Sequence, residues 1–227
     1  MEIDVLQYLN TMSYNAFMAS MILETLAVGP FQSNVFILGN EETREAIVID
    51  PGDDIPDVLG ILKKNDLKLN RILLTHGHID HVSGVKELKD ATGAAVFLHK
   101  GDIFLYEQLP TQASFFGIAA NDIIKIDTIL EDGMEIGAGD LKCRVIHTPG
   151  HTPGSVSFYF PSGIVFTGDT LFRWSIGRTD LWGSSHEELM SSIKEKLFKL
   201  DEKTRVYPGH GPATTIGAEK RDNPFLK

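Results

Sequence analysis

The run His76-Gly77-His78-Ile79-Asp80-His81 places three imidazoles and a carboxylate within six positions. Histidine and aspartate are ligands for zinc, iron or manganese. The run follows Arg71-Ile72-Leu73-Leu74, an apolar stretch that reads as a buried strand. Alternate residues of an extended segment point to the same side, so His76 and His78 can grip one ion. Asp80 and His81 lie past the bend and can face a second. Three further candidates share one address, a loop just after a strand. His151 lies in His147-Thr148-Pro149-Gly150-His151, Asp169 in Phe166-Thr167-Gly168-Asp169-Thr170, and His210 in Tyr207-Pro208-Gly209-His210-Gly211. Glycine or proline flanks each of them, giving tight turns that can bring side chains to a shared point. The expected division is His76, His78 and His151 around a first metal and Asp80, His81 and His210 around a second. Asp169 bridges, because a carboxylate offers two oxygens and an imidazole one free nitrogen. Such a set leaves room for water, which a catalytic site needs and a structural site does not. His147 and His99 are expected to serve the scaffold, and His186 to sit at a helix start.

The elements that must hold these residues follow from hydrophobic pattern. Strands are expected at 21–28, 33–38, 45–50, 71–75, 95–98, 123–127, 141–147, 155–160, 163–167 and 204–207. Helices are expected at 55–65 with Asp54 as cap, at 81–91, at 101–109 and at 186–199, the last with Leu189, Ile193, Leu197 and Leu200 on one face. Residues 110–122 read as a loop with exposed aromatics. Two blocks of strands followed by helices suggest two packed sheets with helices outside, an α+β class. No linker separates the halves, so residues 21–227 are expected to form one domain. Residues 1–20 read as an appendage before a domain start at Met21.

Bulk properties narrow the functions. In 227 residues there are 21 Lys and Arg against 31 Asp and Glu, a formal charge of -10. Nucleic-acid binding runs on a surplus of cations, so a nuclease is disfavoured. The single cysteine, Cys143, excludes an internal disulfide and suits a reducing compartment. The acidic start and the Glu24 interruption of the apolar run 16–29 argue against a signal peptide or a membrane span. A cytoplasmic location without a membrane partner is therefore expected. The oligomeric state stays open.

The run His76-x-His78-x-Asp80-His81, followed by His151, Asp169 and His210, resembles the metallo-β-lactamase superfamily from about Met21 to the C-terminus. The resemblance implies an αββα sandwich, two mixed sheets with outer helices, and a dinuclear site at one edge. Within the superfamily, Gly168-Asp169-Thr170-Leu171-Phe172, Ile176-Gly177-Arg178-Thr179-Asp180 and the tail Glu219 to Leu226 are similar to the short glyoxalase II group, the hydroxyacylglutathione hydrolases. The implied reaction is hydrolysis of a small-molecule thioester, with metal-bridging hydroxide as nucleophile and with Asp80 and Asp169 as catalytic carboxylates. Two divalent ions are implied, zinc first, with iron or manganese compatible. A thiol leaving group of pKa near 8.5 departs as thiolate without a general acid, which suits a site with no obvious proton donor.

Full-length glyoxalase II enzymes add a helical C-terminal domain that helps bind glutathione; here a short tail follows His210. Arg178, Lys220 and Arg221 are the candidate partners for substrate carboxylates, with an internal Arg178–Asp180 pair as the competing use of Arg178. Phe115 and Phe116, with Trp174 and Trp182, are candidate pocket walls. One alternative is a glutathione persulfide dioxygenase with a single iron on His76, His151 and Asp169. A second is a lactone or β-lactam hydrolase.

Overall fold

Residue alternation along the strands sorts the apolar core into three layers. The computed structural model describes residues 21–118 and 122–227, and the expected appendage, 1–20, lies outside them. One sheet holds β1 (Met21–Val28), β2 (Ser33–Asn40), β3 (Glu45–Ile49), β4 (Lys68–Leu73), β5 (Ala95–His99) and β6 (Thr128–Leu130), adjacent in that order. The other holds β7 (Glu135–Ala138), β8 (Leu141–His147), β9 (Val156–Phe160) and β10 (Ile164–Gly168). After a short hairpin of β11 (Leu171–Phe172) and β12 (Ser175–Ile176), it is completed by β13 (Arg205–Pro208) and β14 (Thr214–Thr215). Its spatial order is β14-β13-β10-β9-β8-β7. Both sheets are mixed: β3 to β6 are parallel beside the antiparallel β1 and β2, and β10 pairs parallel with β13 in an otherwise antiparallel sheet.

Phe36, Leu38, Ile47, Ile49 and Leu73 of the first sheet pack between the sheets against Val145, Phe158, Phe160 and Phe166 of the second. The intervening residues Val35, Ile37, Val48 and Ile72 join the outer layer. They meet Ile55, Val58 and Leu62 of helix α1 (Ile55–Lys64), Ile79 and Val82 of α2 (Ile79–Val82), and Val85 and Leu88 of α3 (Val85–Thr92). This period of two explains why the strands read as unbroken apolar runs: both faces are covered. Val165 and Val206 on the far face of the second sheet pack against Leu189, Ile193, Leu197 and Ile216. The result is the expected αββα sandwich. Two more helices, α4 (Ile103–Glu107) and α5 (Leu109–Phe116), follow β5, and α6 (His186–Ser191) and α7 (Ile216–Asp222) cover the second sheet.

Several local expectations are corrected. Residues 110–122 are not a loop throughout: α5 occupies Leu109–Phe116, because Pro110 fits a first helical turn and Gly117, at φ +66°, ends it. The predicted strand 123–127 is displaced to Thr128–Leu130, where the chain pairs with β5, while Ile124 and Ile126 pack on the outer layer. The predicted helix 81–91 is divided into α2 and α3, and the helix 101–109 begins as a 3-10 turn at Lys100–Asp102 before α4. Asp54 does not cap α1; it is left-handed at φ 51°, and its carboxylate accepts from the Gly29 N–H at 3.1 Å. The helix after Ser185 keeps its predicted apolar stripe but widens to a π-turn at Ser192–Lys196 and tightens at Leu197–Lys199. Within the short tail after His210 the chain forms β14 and α7.

Cys143 is buried, and burial pushes its thiol up to about 12. The thiolate is the reactive form, so about one molecule in ten thousand carries it at pH 8. Native protein is therefore expected to resist a thiol–disulfide reagent at pH 8 and to titrate one thiol after denaturation. Rapid native labelling would show that β8 opens far more easily than its packing implies.

Candidate metal centre

Strand direction delivers the ligands to one edge. β8 is antiparallel to β9, β9 to β10, and β10 is parallel to β13, so β8, β10 and β13 end on the same side. The loops after them carry His151, Asp169 and His210. β4 brings His76 and His78 from the other sheet, and α2 supplies Asp80 and His81. Backbone hydrogen bonds stitch the two sheets together at this edge: Val156 N–H donates to Thr75 O at 2.8 Å and Asn34 N–H to Gly209 O at 2.7 Å.

The donor atoms of His76, His78 and His151 all lie within 4.8 Å of one another, and so do those of Asp80, His81 and His210. Asp169 reaches both trios. Its Oδ1 is 3.4 Å from His81 Nε2, and its Oδ2 is 3.6 Å from both His151 Nε2 and His210 Nε2. Two features show that cations fit. His76 Nε2 and Asp169 Oδ1 are buried without a hydrogen-bond partner, which is costly unless another group satisfies them. His78 Nδ1 also meets His151 Nε2 at 2.9 Å, and His81 Nε2 meets His210 Nε2 at 3.3 Å. Facing imidazole nitrogens at such distances require a proton or a cation between them.

Burial, reinforced by neighbouring histidines, holds His76 well below its ordinary pKa and pushes His78 down to about 3. His76 and His78 are thus biased toward the neutral imidazole that a metal requires. Burial disfavours the Asp80 carboxylate, but His81 and His210 outweigh it and hold the group well below the usual range. Burial likewise disfavours charged His81, yet Asp80 and Asp169 raise its pKa well above the ordinary value. His210 is raised in the same way, with the Asp80 hydrogen bond overcoming burial.

Two buried aspartates that sequence reasoning did not single out organise these ligands. Asp50, at the end of β3, accepts from Thr75 N–H at 2.7 Å, from the Thr75 hydroxyl at 2.6 Å and from His81 Nδ1 at 3.1 Å. The Thr75 hydroxyl also sits 3.0 Å from His76 Nδ1. Asp50 therefore fixes one ligand of each trio and turns His76 Nε2 toward the site. Its oxygens lie near His76 and His81 as a third possible metal group, but these hydrogen bonds already occupy them. Asp102 accepts from Gly77 N–H at 2.8 Å, Thr152 Oγ1 at 2.7 Å and Gly154 N–H at 2.6 Å, tying the His76–His78 turn to the His151 loop. Burial, partly offset by these donors, pushes its carboxyl up. A faint sequence signal existed for Asp50 in Asp50-Pro51-Gly52 closing a strand; none marked Asp102. Gly209 is also demanded by the site, since a Cβ there would lie 2.2 Å from Asp169 Oδ1.

Outer partners of metal ligands typically control affinity by 10–100-fold. Asp50→Asn, which offers a donor where His81 needs an acceptor, is expected to weaken metal binding by about that factor. Competition with a chelator would measure it, and an unchanged affinity would remove Asp50 from this role.

A cavity of about 860 Å³ opens onto His78, Asp80, His151, Asp169 and His210. Phe115, Phe116, Trp182 and Arg178 line it, whereas Trp174, Lys220 and Arg221 do not. Trp174 instead stacks with Arg173, 4.4 Å from its ring centroid. Lys220, on α7, places its Nζ 3.6 Å from Glu202 and does not line the cavity. Arg178 makes the internal pair, both contacts to Asp180 being 2.9 Å, while its backbone carbonyl meets His151 Nδ1 at 2.9 Å. His147 serves the scaffold: its Nε2 lies 2.9 Å from Pro153 O and its ring stacks on His99 at 4.2 Å. Ser185 caps α6 ahead of His186.

The sandwich and its edge site belong to a known class of metallo-hydrolases. The metallo-β-lactamase superfamily pattern matches residues 28–210, and the chain belongs to that superfamily. Hydroxyacylglutathione hydrolase GloC of Haemophilus influenzae is 39% identical over 209 residues, covering 91% of this chain and 98% of GloC. The solved structure of TTHA1623 in a di-iron-bound form is 41% identical, with a TM-score of 0.82 over 89% of this chain and 100% of that one. The BLEG-1 B3 metallo-β-lactamase structure is 37% identical, also at 0.82, over 91% of this chain and 100% of its own. Among the described residues no helix is long and apolar enough to cross a membrane.

Proposed function

We propose that this protein is a two-metal thioester hydrolase, with a hydroxyacylglutathione as its reference substrate and zinc as its first-choice metal. The observation that carries this reading is the pair of ligand trios spanned by Asp169 at the floor of an open cavity. The GloC relative supports the thioester assignment. Divalent ions held by His76, His78 and His151 and by Asp80, His81 and His210 would polarise the acyl carbonyl and bring the pKa of water toward 7. The chain's own groups supply the rest. The Arg178 carbonyl and the Thr75–Asp50 chain fix the imidazoles. Asp80, ionised and facing the cavity, orients the attacking water, whose proton passes to solvent. Oxygen is added at the acyl carbon, the carbon–sulfur bond breaks, and its electron pair leaves on sulfur. Among the described residues outside the ligand set, the ionisable groups lining the cavity are Glu107 and Arg178, which suits a substrate whose leaving group needs no general acid.

The test is hydrolysis of S-D-lactoylglutathione by protein of measured metal content. Two ions per chain and thioesterase activity are expected. One iron per chain, with oxygen consumption on glutathione persulfide and no thioester cleavage, would make the protein a dioxygenase. The likeness to BLEG-1 favours β-lactam hydrolysis as a second reading, which a nitrocefin assay on the same preparation decides.

A further inference from the structure

We propose that the substrate's thiol arm is uncharged and apolar, an aryl or alkyl thiol and not a peptide-like thiol bearing carboxylates. This rests on the thioester reading above and departs from its glutathione reference substrate in the thiol alone. Two aromatic clusters line the cavity: Phe116 with Phe31 and Phe115, at centroid separations of 5.0 and 5.1 Å, and Phe104 with Trp182 at 4.6 Å. Phe115 is 84% and Trp182 73% exposed. Apolar area held open at a cavity mouth marks the part of a ligand that will cover it.

The charge inventory points the same way. Among the described residues, the one lysine or arginine lining the cavity is Arg178, and Asp180 holds its guanidinium at two points. Glu107 adds a negative charge to the same lining. Residues 1–20 and 119–121 contain no lysine, arginine or histidine, so they bring no cationic side chain. A thiol arm with two carboxylates would give up hydration without finding an uncommitted lysine or arginine; a benzyl or alkyl arm gives up only apolar hydration and covers the rings.

The experiment compares kcat/KM of the metal-loaded protein for D-lactoyl thioesters of benzyl mercaptan and of glutathione, which share one acyl group. The benzyl ester is expected to be favoured by at least about tenfold, the scale on which apolar pockets discriminate. The Phe115→Ala, Trp182→Ala double variant, checked for unchanged metal content, is expected to lower that ratio by about tenfold. Equal rates, or preference for the glutathione ester, would overturn the apolar-arm assignment and leave the thioester reading standing. A ratio unmoved in the double variant overturns the assignment of the arm to these rings. Cleavage of neither ester overturns the thioester reading itself.

Discussion

Asp169→Ala is expected to release metal and to lower kcat/KM by more than about a hundredfold, beyond what loss of an outer partner costs. Among the described residues, Asp169 is the one carboxylate that approaches His81, His151 and His210 together, His81 through Oδ1 and both His151 and His210 through Oδ2. On the proposed two-metal reading, alanine would take away a shared ligand and the negative charge that it would place between two cations. Elemental analysis should give well under two ions per chain, and thioesterase activity should fall with the metal content. Full metal content in an inactive variant would mean that Asp169 acts on the substrate and does not hold the ions. Full activity would contradict the bridging position.

Asp102→Ala is expected to cost about 3 kcal/mol or more of folding stability. Three buried donors, Gly77 N–H, Gly154 N–H and the Thr152 hydroxyl, converge on this carboxylate, and each unsatisfied buried donor costs about 1–3 kcal/mol. Alanine presents no acceptor to any of them. Asp102→Asn keeps one acceptor oxygen and is expected to lose less. Urea unfolding of the metal-free protein measures both, separating fold stability from metal binding. A loss below about 1 kcal/mol for the alanine variant would show that the loops satisfy these donors another way.

The ligand positions were legible because chemistry forces residue type. Few side chains bind a divalent ion, and His76, His78, Asp80 and His81 crowd into one turn. The layered fold was legible because strands covered on both faces must be apolar on both, as β2 is throughout. Element edges were less legible. Pro110 suggested a loop, yet its fixed φ suits a helix start, and only packing of Leu109 and Ala113 decides between them. The Ile123–Asp127 run carries enough apolar residues for a strand, but the hydrogen-bonding edge of β5 begins its partner at Thr128.

The sequence by itself determined the inventory of candidate ligands, five on strand-end loops and two on the short helix α2, since coordination chemistry allows few substitutes and local spacing is a property of the chain. Tertiary structure alone decided which groups support those ligands and which reach the substrate. Asp50 and Asp102 act on residues 25 to 52 positions away, and Lys220 was removed from the cavity by the placement of α7. Such assignments depend on which loops the two sheets bring to a common edge. An acceptor or a charge carries no mark of its partner until packing supplies one.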